Sequence, residues 1–262
     1  NNLNHRMALG EALEAIRDDA GALEEFLAVA GEMPESPRSL ADIAAILDRG
    51  GTSGFQVEFW RRLIEARPDA LIPRLHLGLA LEAAGDREGG LAMIKEVAAA
   101  RPGVAGQAAE ACAASGKEML AAGDARGAVP ALRRARALTP QVVGYWADLA
   151  RALEAAGDGA AALEEYRAVV DAVPESPKSS ARIDVLLDAG GDRPARVREW
   201  TGMSSRHPEA AIPRLHLGLA LEANGDGAGA AAAYRQALLR NAKLESDSVL
   251  FKKTRDGGGP GE

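Results

Sequence analysis

The chain of 262 residues contains one cysteine, Cys112, and four histidines. A single cysteine cannot form an internal disulfide, and no histidine lies in a His-Glu-x-x-His pattern or at metal-ligand spacing from Cys112. The sequence therefore predicts no metal site, no catalytic site and no disulfide framework. We expect Cys112 to be a buried structural thiol.

Aromatic residues make up only 4% of the chain, and basic residues are outnumbered, with a formal net charge of −7 and a pI of about 5.3. An acidic balance argues against a nucleic-acid backbone as the main ligand. No stretch is long and apolar enough to cross a bilayer. The glycine-rich end has no preceding strand and no Gly-Lys-Ser/Thr, so it predicts no phosphate loop and no cofactor.

What the sequence does contain is a repeat of itself. Residues 73–86 read PRLHLGLALEAAGD and residues 213–226 read PRLHLGLALEANGD, so 13 of 14 positions are identical at an offset of 140 residues. The same offset relates Trp60 to Trp200. A stacked-repeat architecture is therefore expected, in which each unit contacts its neighbours.

A shorter repeat of 34 residues lies inside the long one, with one 38-residue spacing between the third and fourth units. Gly-Asp or a related pair marks the middle of most units, and proline usually closes them. Glycine suits the residue after a helix end, and aspartate can cap the next helix, so each unit predicts two helices. Seven units begin near Leu3, Pro37, Leu71, Ala109, Val143, Pro177 and Ala211.

The apolar and small residues of these units resemble the tetratricopeptide repeat (TPR) family. The resemblance covers roughly residues 3–243, and two units depart from it by having Gln56 and Arg196 where a small residue is usual. It implies an all-α fold, a right-handed α-solenoid superhelix of tandem antiparallel helix pairs. The fifth unit carries the pattern at Trp146, Leu149, Ala150, Leu153, Ala162, Tyr166, Val169 and Pro174.

The repeat phase predicts the domain organisation. Residues 3–104 form units one to three, 105–108 an insertion between two lobes, 109–142 unit four and 143–243 units five to seven. We expect the insertion to be either a lengthened turn or an extra helical turn. Residues 244–262 are expected to form a short capping helix, including Leu244, Val249, Leu250 and Phe251, and a flexible glycine-rich tail. Without an initial Met, the chain reads as a piece of a longer protein.

The family resemblance also implies a concave surface lined by the first helix of each unit. Unit position 12 is acidic in six of seven units, which predicts a negative potential in the groove. The alternative is that these carboxylates are simply solvated. The predicted partner-binding residues are Glu14, Asp48, Leu75, Leu79, Glu82, Arg151, Glu154, Asp188, Leu215, Leu219 and Glu222.

These observations favour a non-catalytic scaffold or adaptor of bacterial origin, which binds a protein or peptide with basic and apolar residues. Two alternatives stay open: a self-assembling homo-oligomer, and the regulatory or substrate-docking arm of a larger enzyme such as a glycosyltransferase or a sulfatase-like protein. The sequence predicts neither the partner nor the compartment, cytoplasmic or periplasmic.

Overall fold

A computed structural model describes residues 2–50 and 52–246 of the chain. The described residues form fourteen α-helices in seven consecutive pairs, with one short 3₁₀ helix and no strand. The prediction of an all-α solenoid of helix pairs is confirmed. The helices are α1 (Leu3–Ala15), α2 (Asp19–Glu32), α3 (Pro37–Gly50), α4 (Ser53–Ala66), α5 (Ile72–Ala83), α6 (Arg87–Ala100), α7 (Val104–Ala121), α8 (Ala125–Leu138), α9 (Val143–Ala155), α10 (Gly159–Ala172), α11 (Pro177–Ala189), α12 (Arg193–Arg206), α13 (Ile212–Ala223) and α14 (Gly227–Arg240).

The turns inside the repeats follow from the Gly-Asp pairs. Each glycine of these pairs has a positive φ, from 71° at Gly191 to 98° at Gly85, which residues with a Cβ rarely adopt. The aspartate then caps the second helix, as where the N–H of Gly89 donates to Oδ1 of Asp86 at 3.0 Å. The aspartate caps are Asp18, Asp86, Asp124, Asp158, Asp192 and Asp226.

Small residues let the two helices of a pair approach closely. A Cβ on Gly78 would lie 2.9 Å from the carbonyl oxygen of Gly90, and a Cβ on Gly218 would lie 2.3 Å from the ring of Tyr234. The aromatic positions of the second and sixth repeats, Trp60 and Trp200, are fully buried, as the repeat pattern predicts.

By its internal contacts the chain divides into two compact units, residues 1–157 and residues 158–262. This boundary lies inside the fifth repeat, whereas the sequence predicts an insertion at residues 105–108. Those four residues belong to α7, which at 18 residues is about one turn longer than the other helices.

Unit 1 contains α1 to α9, and its central element is α3. Every residue of α3 from Ser39 to Leu47 is buried, although only one face would be covered in a simple stack of repeats. The reason is that α3 contacts α7 and α8 of the fourth repeat as well as α2 and α5. The core of unit 1 therefore links repeats that are not neighbours in sequence.

Unit 2 contains α10 to α14 and the 3₁₀ helix. Its buried core includes Tyr166, Ile183, Trp200, Met203 and Tyr234. The 3₁₀ helix, Ala242–Ser246, contacts α14, and Leu244 packs against the cluster around Tyr234. The predicted capping residues Val249, Leu250 and Phe251 lie outside the described residues. Among the described helices, none combines the length and apolar character that crossing a membrane requires.

Candidate functional site

The first helices of the repeats carry the predicted binding residues, and in unit 1 the part of this surface on α5 and at the end of α3 is covered by other helices. Leu75 on α5 is fully buried and Leu79 is 8% exposed. Asp48, at the end of α3, accepts hydrogen bonds from both terminal nitrogens of Arg134 on α8, with Nη2 at 2.7 Å. Glu82 lines a remaining cavity of about 280 Å³ whose opposite wall is α8.

Further ion pairs join the first two repeats of unit 1 to the fourth. Arg38 on α3 donates from Nη1 and Nη2 to Glu118 on α7 at 2.9 and 2.8 Å, and from Nε to Asp42 at 2.8 Å. Arg17 donates to Asp124 at 2.8 Å. Burial raises the pKa of Asp42 to about 7, because its desolvation outweighs the opposing effect of Arg38.

Most acidic residues at repeat position 12 have partners on a neighbouring helix. Oε1 of Glu14 accepts from Arg49 Nη1 at 2.8 Å, and Oδ1 of Asp188 accepts from Arg196 Nη1 at 2.8 Å. Like the pair of Asp48 with Arg134, these contacts neutralise part of the acidic column that the sequence predicts. The carboxylates therefore hold helices together in addition to any effect on a ligand.

Two further predicted residues lie on α9, the last helix of unit 1. Arg151 is exposed and forms an ion pair with Asp148 one turn earlier, while Glu154 is half-buried. Lys117 on α7 also lies 3.6 Å from Asp148. Arg151 is thus accessible, with its charge partly balanced on its own helix.

In unit 2 the predicted residues remain accessible. Leu215 and Leu219 on α13 are half-buried, since the cluster around Tyr234 supports them on one side only. Glu222, one turn further on, is exposed and accepts a hydrogen bond from the hydroxyl of Tyr234 at 2.8 Å. Asp188 on α11 keeps 54% of its side chain exposed. We call Asp188, Leu215, Leu219 and Glu222 the α11–α13 surface.

A buried polar cluster, which the sequence did not reveal, lies between α11, α12 and α13. Asp184 accepts from Nε1 of Trp200 at 2.6 Å and from Nε of Arg196 at 2.7 Å. Its other oxygen lies 2.5 Å from Nδ1 of His216, whose ring stacks on Trp200. Arg196 at a position that is usually small was the available signal, because a large cation there needs an acidic partner.

Unit 1 has no such cluster at the equivalent residues, where Ala44 replaces Asp184. His76 stacks on Trp60 with ring centroids 4.7 Å apart, but neither ring nitrogen of His76 has a hydrogen-bond partner among the residues that the structure describes. Burial accordingly lowers the pKa of His76 to about 3. His76 is therefore a packing residue, whereas His216 also belongs to the polar cluster around Asp184.

The described residues include no group of three or more His, Cys, Asp or Glu side chains that could hold a metal ion. Cys112 is buried, and its burial raises the pKa of the thiol to about 12. Since the thiolate is the reactive form, Cys112 is a poor nucleophile at neutral pH.

Seven helix pairs of this geometry can be compared with known families. The model of a family described as "Tetratricopeptide repeat" matches residues 114–177 and 197–245. These two segments are tetratricopeptide repeats. TPR folds are generally non-catalytic modules for protein–protein interaction. None of the curated protein sequences matches this one.

Several solved structures are similar to this chain at low sequence identity. MamA is 19% identical, with 65% of this chain and 97% of MamA covered at a TM-score of 0.39. YrrB, described as a TPR protein with an unusual peptide-binding site, is 14% identical, with 76% and 99% covered at 0.38. A TPR protein from Parabacteroides merdae is 13% identical, with 97% and 98% covered at 0.37. Scores this low carry no argument about function.

Proposed function

We propose that this TPR protein is a protein-interaction module that holds a partner peptide on the α11–α13 surface. The supporting observation is that the leucines of one repeated sequence are buried to different extents in its two copies. Leu75 and Leu79 are covered by other helices of unit 1, whereas Leu215 and Leu219 are left half-exposed beside two accessible carboxylates. Side-by-side leucines in an open surface form an apolar patch that a peptide side chain can bury.

The partner segment is expected to combine apolar residues with basic ones. The apolar residues would cover Leu215 and Leu219, and a lysine or arginine would interact with Asp188 or Glu222. Because Arg196 and Tyr234 already contact these two carboxylates, charge contributes less than apolar burial. We therefore expect binding to weaken only modestly at high salt.

Selection of peptides from a random display library on the purified full chain tests this proposal. Enriched peptides are then titrated against the native protein, a Leu215→Ser/Leu219→Ser variant and a Leu239→Ser control. Leu239 on α14 is 84% exposed and lies outside the α11–α13 surface, so its change matches the chemistry without touching the surface. We expect affinity to fall about tenfold or more in the first variant only. Equal affinity for both variants, or no enriched peptides, would contradict the proposal.

A further inference from the structure

Unit 2 contains an open pocket of about 380 Å³ between α12, α13 and α14. Leucine, alanine and proline side chains form its apolar walls, and a few polar groups converge on it. A pocket of this size and mixed lining suits a small ligand group. The residues that matter to its chemistry are Ser204, Arg214, Leu217, Leu221, Ala233 and Gln236.

The charged group of this pocket is Arg214, which is 8% exposed and has only uncharged hydrogen-bond partners. Its Nη1 donates to the carbonyl oxygens of His207 and Ala210 at 3.2 and 2.8 Å, and its Nε donates to Oε1 of Gln236 at 3.3 Å. Nη2 makes no hydrogen bond within the described part of the chain. A guanidinium nitrogen that has no protein partner and lies beside an open pocket can donate to an external anion.

The charges around Arg214 also favour the binding of an anion. Burial and the positive charge of Arg240 lower the pKa of Arg214, and Glu209 opposes them without forming an ion pair. Arg240 itself donates to the carbonyl oxygens of Pro208 and Gln236, at 2.6 and 3.1 Å. Two guanidinium groups therefore lie close to one pocket that has no carboxylate of its own in its lining.

An unsatisfied hydroxyl on another wall gives a second, independent indication. Ser204 on α12 is 7% exposed, and its Oγ is buried without any hydrogen-bond partner among the described residues. Buried hydroxyl groups in folded proteins nearly always have a partner. A ligand oxygen in the pocket would supply the missing one.

The equivalent positions of unit 1 carry different residues at three positions that line this pocket. Ile64 and Met93 stand where unit 2 has Ser204 and Ala233, and both pack against the core of unit 1. Glu96 stands where unit 2 has Gln236, and its Oε1 lies 3.8 Å from Nη1 of Arg74, the counterpart of Arg214. The three differences remove two large apolar side chains and the one carboxylate beside the arginine.

We propose that the α12–α14 pocket binds a carboxylate carried on a short aliphatic group. The carboxylate accepts from Nη2 of Arg214 and the hydroxyl of Ser204, and the aliphatic group lies against Leu217, Leu221 and Ala233. Arg214, Leu217 and Leu221 occupy a different stripe of α13 from Leu215 and Leu219. The pocket is therefore separate from the α11–α13 surface, and neither proposal depends on the other.

Such a carboxylate could come from a free branched acid or from the C-terminal leucine of a peptide. The test uses the full chain labelled with ¹⁵N and titrates three probes by NMR: isovalerate, its neutral analogue isovaleramide, and the peptide acetyl-Ala-Leu with a free carboxylate. We expect both carboxylates to shift the Nε–Hε signal of Arg214 and the amide signals around Ser204 and Gln236. Isovaleramide should leave the Nε–Hε signal unchanged.

The substitutions for this test introduce the residues that unit 1 has at the equivalent positions. Gln236→Glu supplies an internal carboxylate, and Ser204→Ile with Ala233→Met fills the pocket, while Arg235→Gln changes an exposed residue of α14 as a control. We expect affinity for the carboxylate probes to fall about tenfold or more in the first two and to be unchanged in the third.

Tighter binding of the peptide than of isovalerate would assign the pocket to a protein C-terminus, and similar binding would assign it to small acids. The proposal is overturned if the probes shift no signals near Arg214, if isovaleramide binds as well as isovalerate, or if Gln236→Glu leaves carboxylate binding intact.

Discussion

The same twelve-residue sequence, IPRLHLGLALEA, forms α5 in unit 1 and α13 in unit 2. In α5 its leucines Leu75, Leu77 and Leu79 are all buried, while in α13 Leu215, Leu217 and Leu219 are half-exposed. The helices are alike, so the difference comes from what packs on them. Burial in a repeat protein is set by neighbours as well as by the repeat's own sequence.

The two units also differ in which arginine pairs with the acidic residue at repeat position 12. Asp48 in unit 1 is paired with Arg134, which comes from α8, two repeats later. Asp188 in unit 2 is paired with Arg196, which comes from the second helix of its own repeat. The charge of Asp48 is therefore balanced by a residue distant in sequence, whereas the charge of Asp188 is balanced within its own repeat.

The largest effect is expected from removing the equivalent tryptophans, Trp60 and Trp200. Both are fully buried, so replacing either with alanine should lower the free energy of unfolding by about 3–5 kcal/mol. Chemical denaturation followed by circular dichroism measures this. If only one substitution is destabilising, the two copies do not use their tryptophans alike, and the parallel between them fails.

The next effect concerns the long-range pair in unit 1. Arg134→Ala leaves the carboxylate of Asp48 buried without its cation and should destabilise unit 1 by about 3 kcal/mol. The double variant Asp48→Ala/Arg134→Ala is the control, since it removes the stranded charge and should recover part of the loss. Denaturant titrations of Arg134→Ala, Asp48→Ala and the double variant give the coupling free energy between the two residues. Additive losses would contradict a direct interaction.

A pH-dependent difference is expected from Asp42, whose equivalent in unit 2 is the exposed Arg182. Because burial raises the pKa of Asp42 in the folded protein to about 7, the folded state binds a proton that the unfolded state releases at lower pH. This contribution to stability is present below about pH 4 and is lost as the pH rises to about 7.

Asp42→Asn removes this titration and keeps an oxygen that can accept from Arg38. We expect the variant to be more stable than the native protein by about 2 kcal/mol at pH 8, with the gain shrinking toward pH 5. Thermal unfolding at both pH values, converted to free energies of unfolding, measures the gain. A gain that is the same at both pH values would show that Asp42 does not titrate in this range.

The smallest effect compares the indole N–H groups. Nε1 of Trp200 donates to Asp184, while Nε1 of Trp60 has no partner in the described part of the chain. Trp200→Phe should therefore cost about 1–2 kcal/mol more than Trp60→Phe, because only the former leaves a buried acceptor short of a donor. The comparison uses the same denaturation experiment as the alanine variants. Equal losses would mean that the bond to Asp184 adds nothing to stability.

The repeat pattern predicted the local structure well, because local structure is encoded locally. Gly-Asp pairs at a fixed spacing imply a helix end followed by a helix cap, as at Gly85 and Asp86. A small residue on the first helix and an aromatic residue on the second recur in the repeats, and they predict packing of the kind seen between Gly218 and Tyr234. Sequence periodicity of this kind needs no information from distant repeats.

The candidate site was predicted less completely, because the partners of its carboxylates lie on other helices. Nothing in the periodicity links Arg134 to Asp48 across 86 residues, or Arg38 to Glu118 across 80. The sequence therefore predicts a ligand surface along the acidic column, whereas Glu14, Asp48 and Asp188 form ion pairs with arginines. Leu75 belonged to the predicted surface, and its burial depends on the same long-range packing.

The complete enclosure of α3 has a consequence for how unit 1 folds. In a one-dimensional stack, a repeat can be added or lost at an end with little effect on the rest. Here the residues from Ser39 to Leu47 reach their final environment only when α7 and α8 are in place, so the second repeat cannot be complete before the fourth. Unit 1 should consequently open as one cooperative block, with the amide protons of α3 among its slowest to exchange with solvent.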